Sequence, residues 1–102
     1  MSGPRTLFEK IWDDHVISDL GDNTFLLQID RLLLHELSGD VALKKLSQTG
    51  RKVMAPAQVI ATIDHVVDTF PGRGDDTRIP GGGDRIRSMR ASAAAHDIRL
   101  MD

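Results

Sequence analysis

Leu7, Phe8, Ile11, Trp12 and His15 recur at spacings of three and four, which marks one apolar face of a helix. Thr6-Leu7-Phe8-Glu9 supplies its start, because the Thr6 hydroxyl can accept an amide of the first turn while Glu9 reaches back to the Thr6 amide. The helix is expected to end before the turn cluster Gly21-Asp22-Asn23. From Thr24 to Leu34 the pattern changes. Phe25, Leu27 and Ile29 alternate with Leu26, Gln28 and Asp30, and Leu32-Leu33-Leu34 follows as an apolar run, so extended structure is predicted. A second helix is predicted from Ser38-Gly39-Asp40, burying Val41, Leu43 and Leu46 and stopping at Gly50. Val59-Ile60-Ala61-Thr62-Ile63 predicts a strand covered on both faces, running directly into Asp64-His65. Residues 70–83 read as a loop built on Pro71, Gly72, Gly74, Pro80 and Gly81-Gly82-Gly83. Asp84 then stands where a helix cap belongs, and Ile86, Met89 and Ala93 follow at helical spacing. Ile98 to Asp102 begins another strand. Helices alternating with strands predict an α/β layer architecture.

Composition narrows the chemistry. The chain has 102 residues, of which 40% are hydrophobic and only 4% aromatic, so its core must be mainly aliphatic. Lysine and arginine number 13 against 15 acidic residues; a net charge of −2 argues against a nucleic-acid binder, which needs a basic face. Arg85, Arg87 and Arg90 still form a local basic group. The absence of cysteine excludes disulfides and thiolate clusters. No apolar run approaches the roughly 20 residues needed to span a bilayer. No signal-peptide pattern follows Arg5, so a cytoplasmic protein is expected.

Asp64-His65 is the most informative polar pair. It follows a strong strand, and ligands of open α/β sheets gather beyond the carboxyl ends of strands. An imidazole exchanges a proton near neutral pH, and a neighbouring carboxylate can orient it. Adjacent strand residues point to opposite faces, so the two side chains meet only where the backbone bends. His35-Glu36 also follows an apolar segment and offers a second imidazole beside a carboxylate. Taken as residues alone, both pairs also fit polar strand ends entering a loop. His15 belongs to the stripe of the first helix, and His96 lies near the end of the last one, where a partly charged ring suits the helix dipole. Gly81-Gly82-Gly83-Asp84 reads as a mobile connector rather than an anion site, and Arg73, Arg78 and Arg85 are basic groups beside it.

Several blocks in order carry a resemblance. Residues 6–16, Leu27-Gln28-Ile29-Asp30-Arg31, Leu34-His35-Glu36, Gly50-Arg51-Lys52-Val53 and Ala61-Thr62-Ile63-Asp64-His65 resemble, at matching spacing, the start of the large subunit in the 3-isopropylmalate dehydratase branch of the aconitase family. The resemblance implies that residues 1–102 are a single partial domain, the N-terminal portion of an aconitase-like α/β/α layered domain. It implies a hydro-lyase acting on a small malate-type hydroxy-acid, with a [4Fe-4S] cluster in the complete enzyme that this chain does not ligate. By the match, His65 assists protonation or departure of the substrate hydroxyl, Asp64 orients it, and His35 faces the substrate. The remainder of the large subunit and a small subunit are the implied partners. Two departures, Val66-Val67 after Asp-His where leucine-pathway members commonly have asparagine, and the Arg78-Ile79-Pro80-Gly81-Gly82 stretch, leave other malate-type acids open. A non-catalytic module with the same partial fold is the alternative, favoured for the isolated chain by its lack of cysteine.

Overall fold

The computed structural model of the protein describes residues 3–102. The chain divides into two compact units, the first ending at Asp30 and the second spanning Arg31–Asp102.

In the first unit, α1 (Leu7–His15) opens on the capping box its sequence predicts: the Glu9 amide donates to Thr6 Oγ1 at 3.2 Å, and the Thr6 amide donates to Glu9 Oε2 at 2.7 Å. The helix ends six residues earlier than the turn cluster, at His15, because Val16–Gly21 forms strand β1. β1 pairs antiparallel with β2 (Thr24–Leu27). Gly21, Asp22 and Asn23 join them with φ of 83°, 50° and 57°, the left-handed conformations that short hairpin turns require. Extended structure from Thr24 is therefore found, but broken into this strand, which stops at Leu27, and a second over Leu32–His35 in the other unit. Trp12 stacks on Phe8 with centroids 5.8 Å apart and meets Phe25 of β2 edge-on at 5.3 Å. None of the described residues of this unit is buried, and Leu7, Phe8, Ile11, Ile17 and Leu20 are all more than half exposed.

The second unit is a β-α-β-α-β arrangement: β3 (Leu32–His35), α2 (Gly39–Gln48), a 3₁₀ turn at Pro56–Gln58, β4 (Val59–Thr62), α3 (Gly82–Ala95) and β5 (Arg99–Met101). The strands are parallel in the order β3-β4-β5. Leu34, Ala61 and Leu100 lie in one register row, and Leu33, Ile60 and Arg99 in the next. The first row joins the core formed by Leu43, Val59, Ala61, Ile63, Ile86, Met89, Ala93 and Ile98. Leu33 of the second row is 71% exposed and Ile60 is half-buried, so β4 is not sealed on both faces as its composition predicts. The α/β expectation holds, with helix and strand alternating through this unit.

Helix α2 lies rotated from its predicted setting. Leu43 is buried, but Val41 is exposed and Asp40 is turned inward at 6% exposure. Ser38 makes no side-chain cap. The Asp40 carboxylate accepts from Ser92 Oγ at 2.5 Å and Ser88 Oγ at 2.9 Å on α3, and from Lys44 Nζ at 3.0 Å. Burial raises its pKa, but hydrogen bonds from Ser92, Lys44 and Ser88 outweigh that, and the group stays below the ordinary aspartate range. A carboxyl lowered in the folded state adds stability above its unfolded value, near pH 4, and loses it as pH falls through the folded value. Urea midpoints measured from pH 7 down to pH 3 are expected to fall steeply only below about pH 4. Asp40→Asn should flatten that fall, and an undiminished slope in the variant would contradict the assignment.

Residues 70–81 are tied down rather than loose. Arg90 grips Asp75 with two parallel hydrogen bonds of 2.8 and 2.9 Å, Arg87 bonds Asp76 at 2.9 Å, and Arg73 bonds Asp102 at 2.7 Å. Arg87 and Arg90 of the local basic group are thus matched by carboxylates, while Arg85 turns to a backbone carbonyl. Asp84 does not cap α3. The N-cap is Gly81 at φ 74°, a left-handed backbone that suits glycine. A Cβ at Gly82 would strike the Thr77 hydroxyl and sit 3.1 Å from the Val66 carbonyl oxygen. Gly82→Ala is expected to destabilise the unit by about 1–3 kcal/mol, seen as a lower melting temperature. Gly74→Ala, at a position with nothing within 4 Å, should leave it unchanged. Equal melting of the two variants would remove the close-packing account.

Candidate active site

His35 is the last residue of β3, and Asp64-His65 lies just beyond β4, its parallel neighbour. Both therefore emerge at the carboxyl edge of the sheet, where such folds collect ligands. Adjacent side chains of a strand diverge, yet Asp64 and His65 meet: His65 Nδ1 lies 2.5 Å from Asp64 Oδ1. The backbone bends at His65-Val66, which makes the meeting possible.

Glu36 shapes that bend. Its side chain is fully buried at 0% exposure. One carboxylate oxygen accepts from the Asp64 amide at 3.0 Å, and the other from the His65 and Val66 amides at 2.5 and 2.7 Å. Three consecutive amides thus converge on one carboxylate. Burial raises its pKa, but the amides of Asp64, of Glu36 itself, of Val66 and of His65 outweigh burial and hold the group below the ordinary glutamate range. It is an anion at neutral pH.

The two imidazoles stack with centroids 4.2 Å apart and planes inclined by 27°. Their hydrogen bonds assign the protons. His35 Nδ1 accepts from the Leu37 amide at 3.2 Å, so the neutral ring carries its proton on Nε2. The Asp64 carboxylate can only accept, so His65 Nδ1 carries a proton, and in the neutral ring Nε2 is then the bare lone pair. The side chains of His65 and Asp64 are 45% and 51% exposed, open to a ligand. The site therefore presents one N–H donor, His35 Nε2 at 3.5 Å from Ser38 Oγ, with one proton acceptor and one exposed carboxylate over a buried anion.

Ligand atoms of His35, Glu36, Asp64 and His65 lie within 4.8 Å of one another, the one group of metal-ligand type among the described residues. They do not form a free metal shell. Both Glu36 oxygens are committed to amides, and Asp64 and His65 are bonded to each other.

The remaining candidates lie elsewhere. His15 bonds the Ile11 carbonyl at 2.6 Å and Asp30 at 2.9 Å; those two contacts, in that order, raise its pKa above the usual imidazole value. His96 caps the end of α3 and bonds Ser47 Oγ at 2.8 Å. Arg78 stands 3.7 Å from Asp68, and Arg85 donates to the Leu37 carbonyl at 3.4 Å. A cleft of about 490 Å³ lined by Ser47, Arg51, Lys52, Val53, Pro56 and His96 lies where α2 and α3 end, away from the paired histidines. The role of Glu36 was not legible in the sequence, which offered it only as a neighbour of His35. The signal that would have found it is an acidic residue at the end of one strand facing the turn that leaves the next.

The family model described as the aconitase family (aconitate hydratase) matches residues 9–101. No solved structure matches the chain. No helix among the described residues is long and apolar enough to cross a membrane.

Proposed function

The chain belongs to the aconitase family, and from that premise we propose that it forms the proton-handling wall of a hydro-lyase site. The observation that carries this reading is the exposed Asp64–His65 pair with its bare Nε2, stacked on His35 at the sheet's carboxyl edge. On dehydration, His65 that has first taken a solvent proton on its bare Nε2 gives that proton to the departing hydroxyl as the C–O bond breaks, and water leaves. A base outside this chain takes the proton from the adjacent carbon, and the electron pair of that C–H bond becomes the new C=C bond. Rehydration runs the same steps backwards, with His65 accepting the proton from water. Asp64 holds the tautomer and stabilises the imidazolium. The Nε2–H of His35 donates to a substrate oxygen.

A malate-type hydroxy-acid is the substrate class in this reading, and 3-isopropylmalate, as in leucine biosynthesis, is its first candidate on sequence resemblance. The family typically uses a [4Fe-4S] cluster, whose ligands are cysteine thiolates. This chain has no cysteine, and its residues do not fit that ligand shell. The cluster and the carbon base belong, in this reading, to the rest of a large subunit and to a small subunit. The more than half-exposed Leu7, Phe8, Ile11, Ile17, Leu20 and Leu33 support such company, because large apolar side chains left in water favour burial against further protein.

The test is an anaerobic pull-down of the tagged chain, with intact-mass measurement and an assay of the eluate for dehydration of malate-type acids. A cysteine-bearing companion, or a longer form of the chain, together with turnover is the expected result. A lone, inactive chain would favour the second reading, a non-catalytic module, for which the absence of cysteine speaks.

A further inference from the structure

We propose that Glu36 is the positioning residue of this site: its buried carboxylate folds the Asp64–Val66 turn and so sets the Asp64–His65 pair without touching substrate. The inference rests on the reading that Asp64 and His65 handle the proton.

Two adjacent residues on an extended strand cannot share a hydrogen bond across their side chains, because they point to opposite faces. The 2.5 Å contact between His65 Nδ1 and Asp64 Oδ1 therefore requires a local departure from the strand. Such a departure leaves successive amides without ladder partners, and buried amides need acceptors. Glu36 supplies one acceptor group for all three, at 3.0, 2.5 and 2.7 Å. No neutral side chain does this as well. A glutamine would keep one carbonyl oxygen but turn an NH₂ donor toward amides that also donate. The charge is also partnered in place, since hydrogen bonds from three amide dipoles offset the cost of burial.

The geometry explains a division of labour within one dipeptide. His35, at the end of β3, joins the ring stack, while the next side chain, Glu36, turns into the interior beneath the turn. The ionisable groups around that carboxylate are His35 on its own segment and Asp64 and His65 on the turn. The turn is also supported from below by Gly82, whose lack of a side chain lets α3 start close to the Val66 carbonyl.

The test is nitrogen and proton NMR on the full chain and its Glu36→Gln variant. The wild-type His65 ring is expected to show one fixed tautomer, with the proton on Nδ1. In Glu36→Gln that signature should be lost to the mixture of an unrestrained imidazole, while the methyl signals of Ile86 and Met89 stay where they are. A fixed tautomer that survives in Glu36→Gln overturns the proposal. If that variant does not fold, Asp64→Asn decides, because it leaves Glu36 as the carboxylate bonded to those amides. The amide signals of residues 64–66 should then still move together in one acid titration step. Separate or absent steps overturn the proposal. Hydro-lyase turnover is read independently: its absence from the complete enzyme sinks the functional reading and leaves these spectra unaltered. An unchanged tautomer alongside intact turnover sinks the role of Glu36 alone.

Discussion

His65→Ala is expected to lower kcat of the complete hydro-lyase by roughly 10²–10⁴-fold, the range of a single general acid–base group. KM should change little, because the ring acts on a proton in flight rather than on the bound acid as a whole. The geometry behind this expectation is the bare Nε2 of His65, with Nδ1 committed to Asp64 and the ring face packed on His35. Asp64→Asn should give a smaller loss in the same direction, since an amide can present either a donor or an acceptor to Nδ1 and no longer enforces one tautomer. Steady-state kinetics on the two variants, with the iron content of each preparation measured in parallel, checks both. Wild-type turnover in His65→Ala, with full iron content, would remove His65 from the mechanism.

Ile86→Ala should be the most costly single truncation in the Arg31–Asp102 unit, at about 2–5 kcal/mol. Ile86 has no exposed surface and packs among Ala61, Ile63, Met89 and the other core residues, so removing three carbons leaves a void that a small unit cannot refill. Ile79→Ala is the comparison, because Ile79 is 41% exposed and its truncation should cost less than about 1 kcal/mol. Urea unfolding followed by circular dichroism gives both values. A cost for Ile86→Ala no larger than that for Ile79→Ala would mean that the core does not centre on α3.

The parts of the fold that were legible in the sequence are those whose partners are local or whose pattern admits one reading. Ile86, Met89 and Ala93 recur at helical spacing, and all three are buried. The β-branched run at Val59–Ile63 could serve only as a strand, and it forms β4 with Ile63 just beyond its end. The hairpin was harder. The stripe Leu7 to His15 marked the helix, but the only stop expected was somewhere before Gly21, and the strand over Val16–Gly21 was not foreseen. What ends the helix is pairing with β2 and the left-handed residues Asp22 and Asn23, which the turn cluster hinted at without fixing its type. Asp40 looked like a helix-start residue, but its partners Ser88 and Ser92 lie 48 and 52 positions away. Separation also hid the role of Glu36. Asp64-His65 stands out as a pair at a strand end, and His35 as a weaker one. That Glu36 reaches the amides 28 to 30 residues further on depends on β3 and β4 being neighbours, which no local pattern states.

Trp12, held between Phe8 and Phe25, is the single tryptophan of a chain without tyrosine. Intrinsic emission excited at the indole band therefore arises wholly within the unit that ends at Asp30. Circular dichroism weights the other unit, which holds two of the three α-helices among the described residues. The molecule thus carries two built-in optical reporters, one for each unit. Coincident melts by the two would make unfolding a single cooperative event, and displaced melts would resolve the aromatic hairpin unit as a separate step.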